Sequence, residues 1–359
     1  MVVVTNRQIF FIILCSLVTV SFIFLPGEAV RAAGTGAWFG ILLLTILFIF
    51  GIFIIASLGK MFEGKTIHEY SKIIVGKFLS KIIGFIYAIN FCFFSILVFT
   101  LAAELIKETS LPLTPIWALL LLFIIVTQYM VYKGITTIGR VLEIYGSIFI
   151  IIPLLVHAAE FFVGDINYIK PFFEPKLMKE YIFSTKEFLF AFVGIEILTI
   201  IPFTKINHKR GILYSIISVL YVGIYYILAT ETSVMIVGIN QILLYKASLV
   251  EALRQAKLPN AFILQRLDSA FLIVGTIGLL SGLATILFAV TENIVKLFSI
   301  KKRNMLLVEV GMIIFVSCMF LNKYEMAGYL FKHVLPFTCI ITGFIIPIIL
   351  LIVAKMKKL

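Results

Sequence analysis

Ten apolar stretches, each close to the roughly 20 residues a helix needs to cross a bilayer, follow one another along this chain. They read as 8–30, 37–62, 82–106, 113–132, 138–163, 186–206, 211–235, 267–296, 305–322 and 329–354. Inside lipid every backbone N–H and C=O must find a partner, and a helix satisfies them within one segment. The pattern therefore predicts an all-α polytopic membrane protein with about ten transmembrane helices. The spans take up most of the 359 residues, which leaves one integral-membrane domain over 1–359. A hydrophobic content of 62% and a mean hydropathy of +1.15 set it far from a soluble domain. The stretches 164–185 and 236–266 are expected as loops with a short surface helix in each. Residues 249–254 read as an amphipathic helix on the outer surface, leading to Arg266 and Asp268 at the start of span eight.

The net charge of +12 raises nucleic acid as a partner, and its distribution argues against one. With the amino terminus inside, the inward segments hold Arg7, Lys60, Lys65, Lys72, Lys77, Lys81, Lys205, Lys209, Arg210, Lys301, Lys302, Arg303, Lys357 and Lys358. They hold few acids, namely Glu63, Glu69, Glu143, Glu292 and Glu309. This is the bias that orients membrane proteins, with both termini cytoplasmic. The same charge favours anionic lipid headgroups. Cys15, Cys92, Cys318 and Cys339 all fall inside expected spans without metal-ligand spacing, and read as small buried hydrophobes. The first span is too long for a signal peptide and reads as an uncleaved helix. His68, His157, His208 and His333 are scattered. The chain carries no nucleophile triad, phosphate loop or redox motif, so neither an enzyme nor a cofactor is expected.

Glu196 stands in the middle of span six, in Phe192-Val193-Gly194-Ile195-Glu196, with Pro202 following. A carboxylate at the centre of a membrane helix costs about 2.5–3.5 kcal/mol on insertion scales and usually faces a cavity, a partner or a substrate. The glycine and proline predict a local break. Span one has a matching pattern, with Val18-Thr19-Val20-Ser21 at mid-span and Pro26 beyond. Spans one and six run in opposite directions, five spans apart, which fits a five-plus-five inverted repeat over about 8–163 and 186–354. Two broken helices present free N–H and C=O groups whose partial charges suit the two ends of a zwitterion.

Other candidates carry two readings each. Asn90, Phe94, Val98 and Ala102 share one face of span three, as a wall of a small-ligand pocket or as helix packing with Asn90 bridging helices. In span eight, Gly278 and Gly282 predict close helix approach. Ser281 and Thr285 either touch a ligand or ion or bond back to their own helix. Arg140 and Glu143 form either an interfacial ion pair or, with Glu292, an inner gate. Neither a sodium-type cluster of hydroxyls and carboxylates nor a lysine in mid-span five is present, so the coupling ion stays open.

With these features in order, the chain resembles the spore germination permeases, the B subunits of nutrient germinant receptors in the amino acid–polyamine–organocation transporter superfamily. The residues that carry the likeness are Thr5-Asn6-Arg7-Gln8, Leu25-Pro26-Gly27-Glu28 with Ala33-Gly34 and Trp38, and His68-Glu69-Tyr70 with Val75-Gly76-Lys77. They continue with Gly139-Arg140 and Glu143, then Phe192 with Gly194-Ile195-Glu196 and Pro202, and Gln265-Arg266-Leu267-Asp268. The resemblance implies a ten-span transporter fold and recognition of a small nutrient, usually an amino acid. It also implies two partners in the spore inner membrane, a membrane-anchored A subunit and a lipoprotein C subunit. The chain departs from its relatives where Val18-Thr19-Val20-Ser21 replaces a glycine-containing break, which makes unwinding costlier.

The reading that follows is a ligand-sensing subunit without enzymatic activity. Backbone groups beside Val20, Ser21, Gly194 and Ile195 would hold the ligand's ends, Phe94, Val98 and Phe192 would size its pocket, and Glu196 would organise the break or carry a proton. The alternative is a proton-linked amino-acid permease, because fold does not decide function.

Overall fold

The computed structural model describes residues 4–204, 206, 210–256 and 267–358, with the side chains of 267–270 outside that description. Lys205, His208, Lys209, Gln265 and Arg266, and the side chain of Asp268, thus lie outside the described residues. Among the described residues all regular structure is helical. Eight helical stretches of the described residues are long and apolar enough to cross a membrane, the first of them joining the second half of span one to span two. The two broken crossings complete the ten spans.

Span one is Asn6–Val18 and Ser21–Ala33. Span two is Ala37–Met61, span three Ile67–Thr109, span four Ile116–Lys133 and span five Ile135–Val163. Span six is made of Met178–Ser184, Thr185–Phe192 and Ile195–Ile200. Span seven is Gly211–Val237, span eight Leu267–Phe298 and span nine Arg303–Lys323. Span ten runs from Ala327 to Met356 through one π turn at Ile341–Ile345.

Spans three and six differ most from the sequence reading. Span three begins at Ile67, well before 82, because Thr66 and Glu69 form a capping box and Gly76, at φ +84°, kinks the helix without ending it. The helical part of span six ends at Ile200 and not at 206. Proline disfavours the helical conformation in the residue before it, and Ile201 is extended ahead of Pro202. The helix expected over 249–254 is present as Ser248–Gln255, but Leu249, Val250, Ala252 and Leu253 are buried. It is seated on span one, where the Gly27 amide donates to Ser248 Oγ at 2.9 Å.

Large apolar side chains such as Phe50, Phe85, Leu122, Ile151, Ile313 and Ile352 are exposed around the outside. In water such a surface would aggregate; in a bilayer it is the solvated face. Polar groups collect inside instead. Span one lies against spans five, seven and eight and touches span six, so the two broken helices occupy the centre of the bundle.

Candidate functional site

The break in span one covers Thr19 and Val20, with Val20 at φ −129° and ψ −20°. It forms without glycine because nearby hydroxyls take up the carbonyls that lose helical partners. Thr19 Oγ1 donates to Cys15 O at 2.6 Å and Ser21 Oγ to Leu17 O at 2.7 Å. The Tyr226 hydroxyl, from span seven, lies 3.0 Å from Leu17 O, 2.9 Å from Ala191 O and 2.9 Å from Ser21 Oγ. One hydroxyl thus ties both breaks together.

The break in span six rests on Gly194. Its φ of +130° is open to glycine and strained for other residues, and a Cβ there would sit 2.9 Å from Ser16 O of span one. The break of span six is therefore packed against the backbone of span one, about one turn before the break there. Beyond Gly194 the Glu196 carboxylate turns back on its own chain. It accepts the Gly194 amide at 3.1 Å, Asn90 Nδ2 at 3.3 Å and Cys339 Sγ at 3.3 Å. Three donors from spans six, three and ten replace the water that a buried carboxylate gives up. Tyr87 of span three completes this wall by donating to Thr342 O in the π turn of span ten.

All of the central sequence candidates are buried: Val20, Ser21, Asn90, Phe94, Val98, Phe192, Gly194, Ile195, Glu196, Ser281 and Thr285. Most are brought to one place. Asn90 bridges helices by holding Glu196, the packing alternative of its two readings. Phe192 stacks on Phe48 at 5.2 Å and meets Tyr226 edge-on at 5.3 Å. Thr285 donates to Ser281 O at 2.9 Å, the back-bonded alternative. Gly282 lets span eight approach the break of span one, since a Cβ there would lie 2.5 Å from Thr19 Oγ1. Ser281 faces a cavity of about 90 Å³ between spans one, five and eight, shared with Cys15, Leu142, Gly146, Phe149 and Gly278. That volume is far below the roughly 300–1,000 Å³ of drug-sized ligand pockets.

The three gate candidates are not brought together. Arg140 is exposed, and Glu143 accepts Gln8 Nε2 at 3.2 Å instead of an arginine. Glu292 pairs with Arg303 at 2.5 Å. On this face of the protein Lys296 joins Glu69 at 3.1 Å and Thr66 Oγ1 at 2.9 Å, fastening the start of span three to span eight.

Sequence reasoning missed Tyr226, Cys339 and the charges at the opposite face. A tyrosine in mid-span beside another, Tyr225-Tyr226, was a usable signal, because a buried phenol needs a partner. At the opposite face a wide recess of about 690 Å³ is lined by Glu104, Lys107, Glu108, Lys246, Asn322 and Glu325. Lys246 lies 2.9 Å from Glu108 and 3.4 Å from Glu104. Burial lowers its pKa, and the two carboxylates outweigh that and raise it. Lys332 reaches Glu28 at 2.6 Å, joining span ten to span one. Among the described residues no group of three or more His, Cys, Asp or Glu is placed to hold a metal ion.

A family model described as "Spore germination protein" matches residues 3–326. The chain belongs to the spore germination permease family. Among curated relatives, spore germination protein YndE of Bacillus subtilis (strain 168) is 22% identical over 361 residues, covering 99% of this chain and 97% of that protein. Spore germination protein A2 of the same organism is 24% identical over 345 residues, covering 93% and 90%. Among solved structures this permease is similar to MhsT in complex with L-phenylalanine (TM-score 0.65, 15% identity, 96% of this chain and 97% of that one). It is also similar to Mhp1, a nucleobase-cation-symport-1 family transporter in a closed conformation with bromovinylhydantoin bound (TM-score 0.59, 11% identity, 99% and 93%). These likenesses give it the inverted-repeat fold of the LeuT type, as an integral membrane protein of a permease family.

Proposed function

We propose that this permease is the nutrient-sensing membrane subunit of a spore germinant receptor and binds a small germinant, an amino acid, where the breaks of spans one and six meet. The observation that carries the reading is the contact of those breaks in the centre of the bundle, bridged by Tyr226 and backed by the three-donor Glu196 site. The Leu17 and Ala191 carbonyls, met here by the hydroxyls of Ser21 and Tyr226, would suit an ammonium that displaces those hydroxyls, and the amides that open the second halves suit a carboxylate. Admitting a ligand between the breaks would exchange protein contacts for ligand contacts, so the ligand shifts a conformational equilibrium. Partner subunits of the A and C types would read that shift in the spore inner membrane, with both termini of this chain cytoplasmic. The rival is a proton-linked amino-acid permease, and the observation in its favour is the fold shared with solved transporters.

The test compares equilibrium binding with time-dependent uptake of labelled amino acids by the purified full chain in liposomes under an imposed pH gradient. Sensing predicts saturable binding without accumulation, weakened at least about tenfold in Glu196→Gln, because the amide keeps one oxygen for Gly194 N–H and Cys339, sets its NH2 against Asn90 Nδ2 and removes the charge. Gradient-driven accumulation would replace the sensing reading with the permease. Unchanged binding in Glu196→Gln would remove Glu196 from the site.

A further inference from the structure

A fully buried polar cluster outside the central site joins spans five and seven. His157 and Glu160 lie one turn apart on span five, and both are buried. His157 Nδ1 is 2.7 Å from Glu160 Oε2 and 3.0 Å from Thr232 Oγ1, and the Thr232 hydroxyl donates to the same Glu160 oxygen at 2.7 Å. Three polar atoms therefore close on one another, whereas the other ends of both titratable groups, His157 Nε2 and Glu160 Oε1, are buried without a partner. The Tyr225 hydroxyl is likewise unpartnered, with its ring 5.5 Å from that of His157.

The surroundings offer little charge to balance this pair. Span seven adds Tyr225 and Thr232, with Glu231 beside Thr232 in sequence. Behind Tyr225 stand Phe22 of span one and Phe271 of span eight. Span four carries no charged residue before Lys133. Asp165, in the loop just beyond, is occupied in capping Asn167, and Asp268 of span eight lies outside the described side chains. Among the described contacts of Glu160, His157 is the one group able to supply a compensating positive charge.

We propose that His157 and Glu160, closed by Thr232, form a proton-binding site about one helical turn below the membrane face that carries the 164–177 loop. With one proton between Nδ1 and Oε2 the pair carries a net charge of −1, which is costly away from water. A second proton, taken from water onto Nε2, makes an imidazolium–carboxylate pair of zero net charge, and its release reverses the step. The inference stands apart from the proposed function, since it is read without any germinant.

The test uses the full chain in lipid vesicles with isotope-labelled histidine, its ring nitrogens followed by solid-state NMR from mildly acidic to mildly alkaline pH. The triple variant His68→Gln, His208→Gln, His333→Gln leaves His157 as the one histidine, and His157→Gln confirms the assignment. The expected result is a reversible change of the His157 ring between one and two protons. Its midpoint should move at least about tenfold in proton concentration in Glu160→Gln, and by less in Thr232→Val. Thr232→Val keeps the side-chain shape and serves as the test if Glu160→Gln does not fold. A His157 ring in one protonation state throughout would overturn the proposal and leave a static clamp between helices. A midpoint unmoved in the folded variants would also overturn it.

Discussion

The breaks of spans one and six do the same structural work with different residues. Span one opens at Thr19-Val20 on side-chain hydroxyls, Thr19 and Ser21 from its own chain and Tyr226 from span seven. Span six opens on the backbone, through a glycine at φ +130° and a carboxylate that folds back onto the glycine's amide. The first break is supported from outside its own backbone and the second is built into it. A break held by several hydroxyls tolerates the loss of any one of them. A break that needs one left-handed residue in contact with a neighbouring backbone does not.

Gly194→Ala should therefore have the largest effect. It adds strain of roughly 1–3 kcal/mol at a disfavoured φ, together with a Cβ 2.9 Å from Ser16 O, a backbone atom that cannot swing aside. The expected outcome is a collapse in the yield of folded protein, or a fall of many degrees in Tm, by thermal unfolding in detergent. Near-normal stability would mean that the two breaks are not pressed together as described. Next comes Tyr226→Phe, which removes the hydroxyl shared by Leu17 O and Ala191 O but keeps the ring packed on Phe192. Leaving buried carbonyls short of a donor costs about 1–3 kcal/mol. Ser21 Oγ already reaches Leu17 O, so the loss should fall near the lower end. If Tyr226→Phe were as damaging as Gly194→Ala, the distinction between the two breaks would fail.

The same contrast explains what was legible in the sequence. The ten spans were readable because each apolar run must satisfy its own backbone in lipid. The break in span six was readable because Gly194 and Pro202 act locally. The break in span one was harder: Val18-Thr19-Val20-Ser21 signals no unwinding by itself, and its principal support, Tyr226, is 205 positions from Ser21. Cys339 looked like a small hydrophobe and is one of the three donors to Glu196. His157 looked like one of several scattered histidines and its neighbour Glu160, three positions on along the same helix, was passed over; Thr232, which closes the pair, belongs to another helix. Arg140, Glu143 and Glu292 suggested one gate, yet each charge that is paired takes a partner from a different helix. Contacts within a helix follow from spacing; contacts between helices depend on packing that the spacing does not carry.

Val20→Gly should have a smaller effect than Gly194→Ala and sharpens the comparison most. If the departure from a glycine-containing break is a handicap that the hydroxyls offset, glycine at Val20 should relieve some of it. Two terms oppose each other. Glycine gives up the buried Val20 side chain, worth roughly 1.5–3 kcal/mol for full burial. It also removes the side-chain restriction on a residue held at φ −129°, ψ −20°. That conformation has negative φ, so glycine's particular advantage is not needed there. The expected outcome is a modest loss of stability, clearly smaller than that of Gly194→Ala, with the break unchanged. Combined with Tyr226→Phe, it should give losses that exceed their sum, because the residues act on one short segment. Simple additivity in thermal unfolding would mean that Tyr226 serves the span-six side alone, through Ala191, and that span one opens on its own hydroxyls.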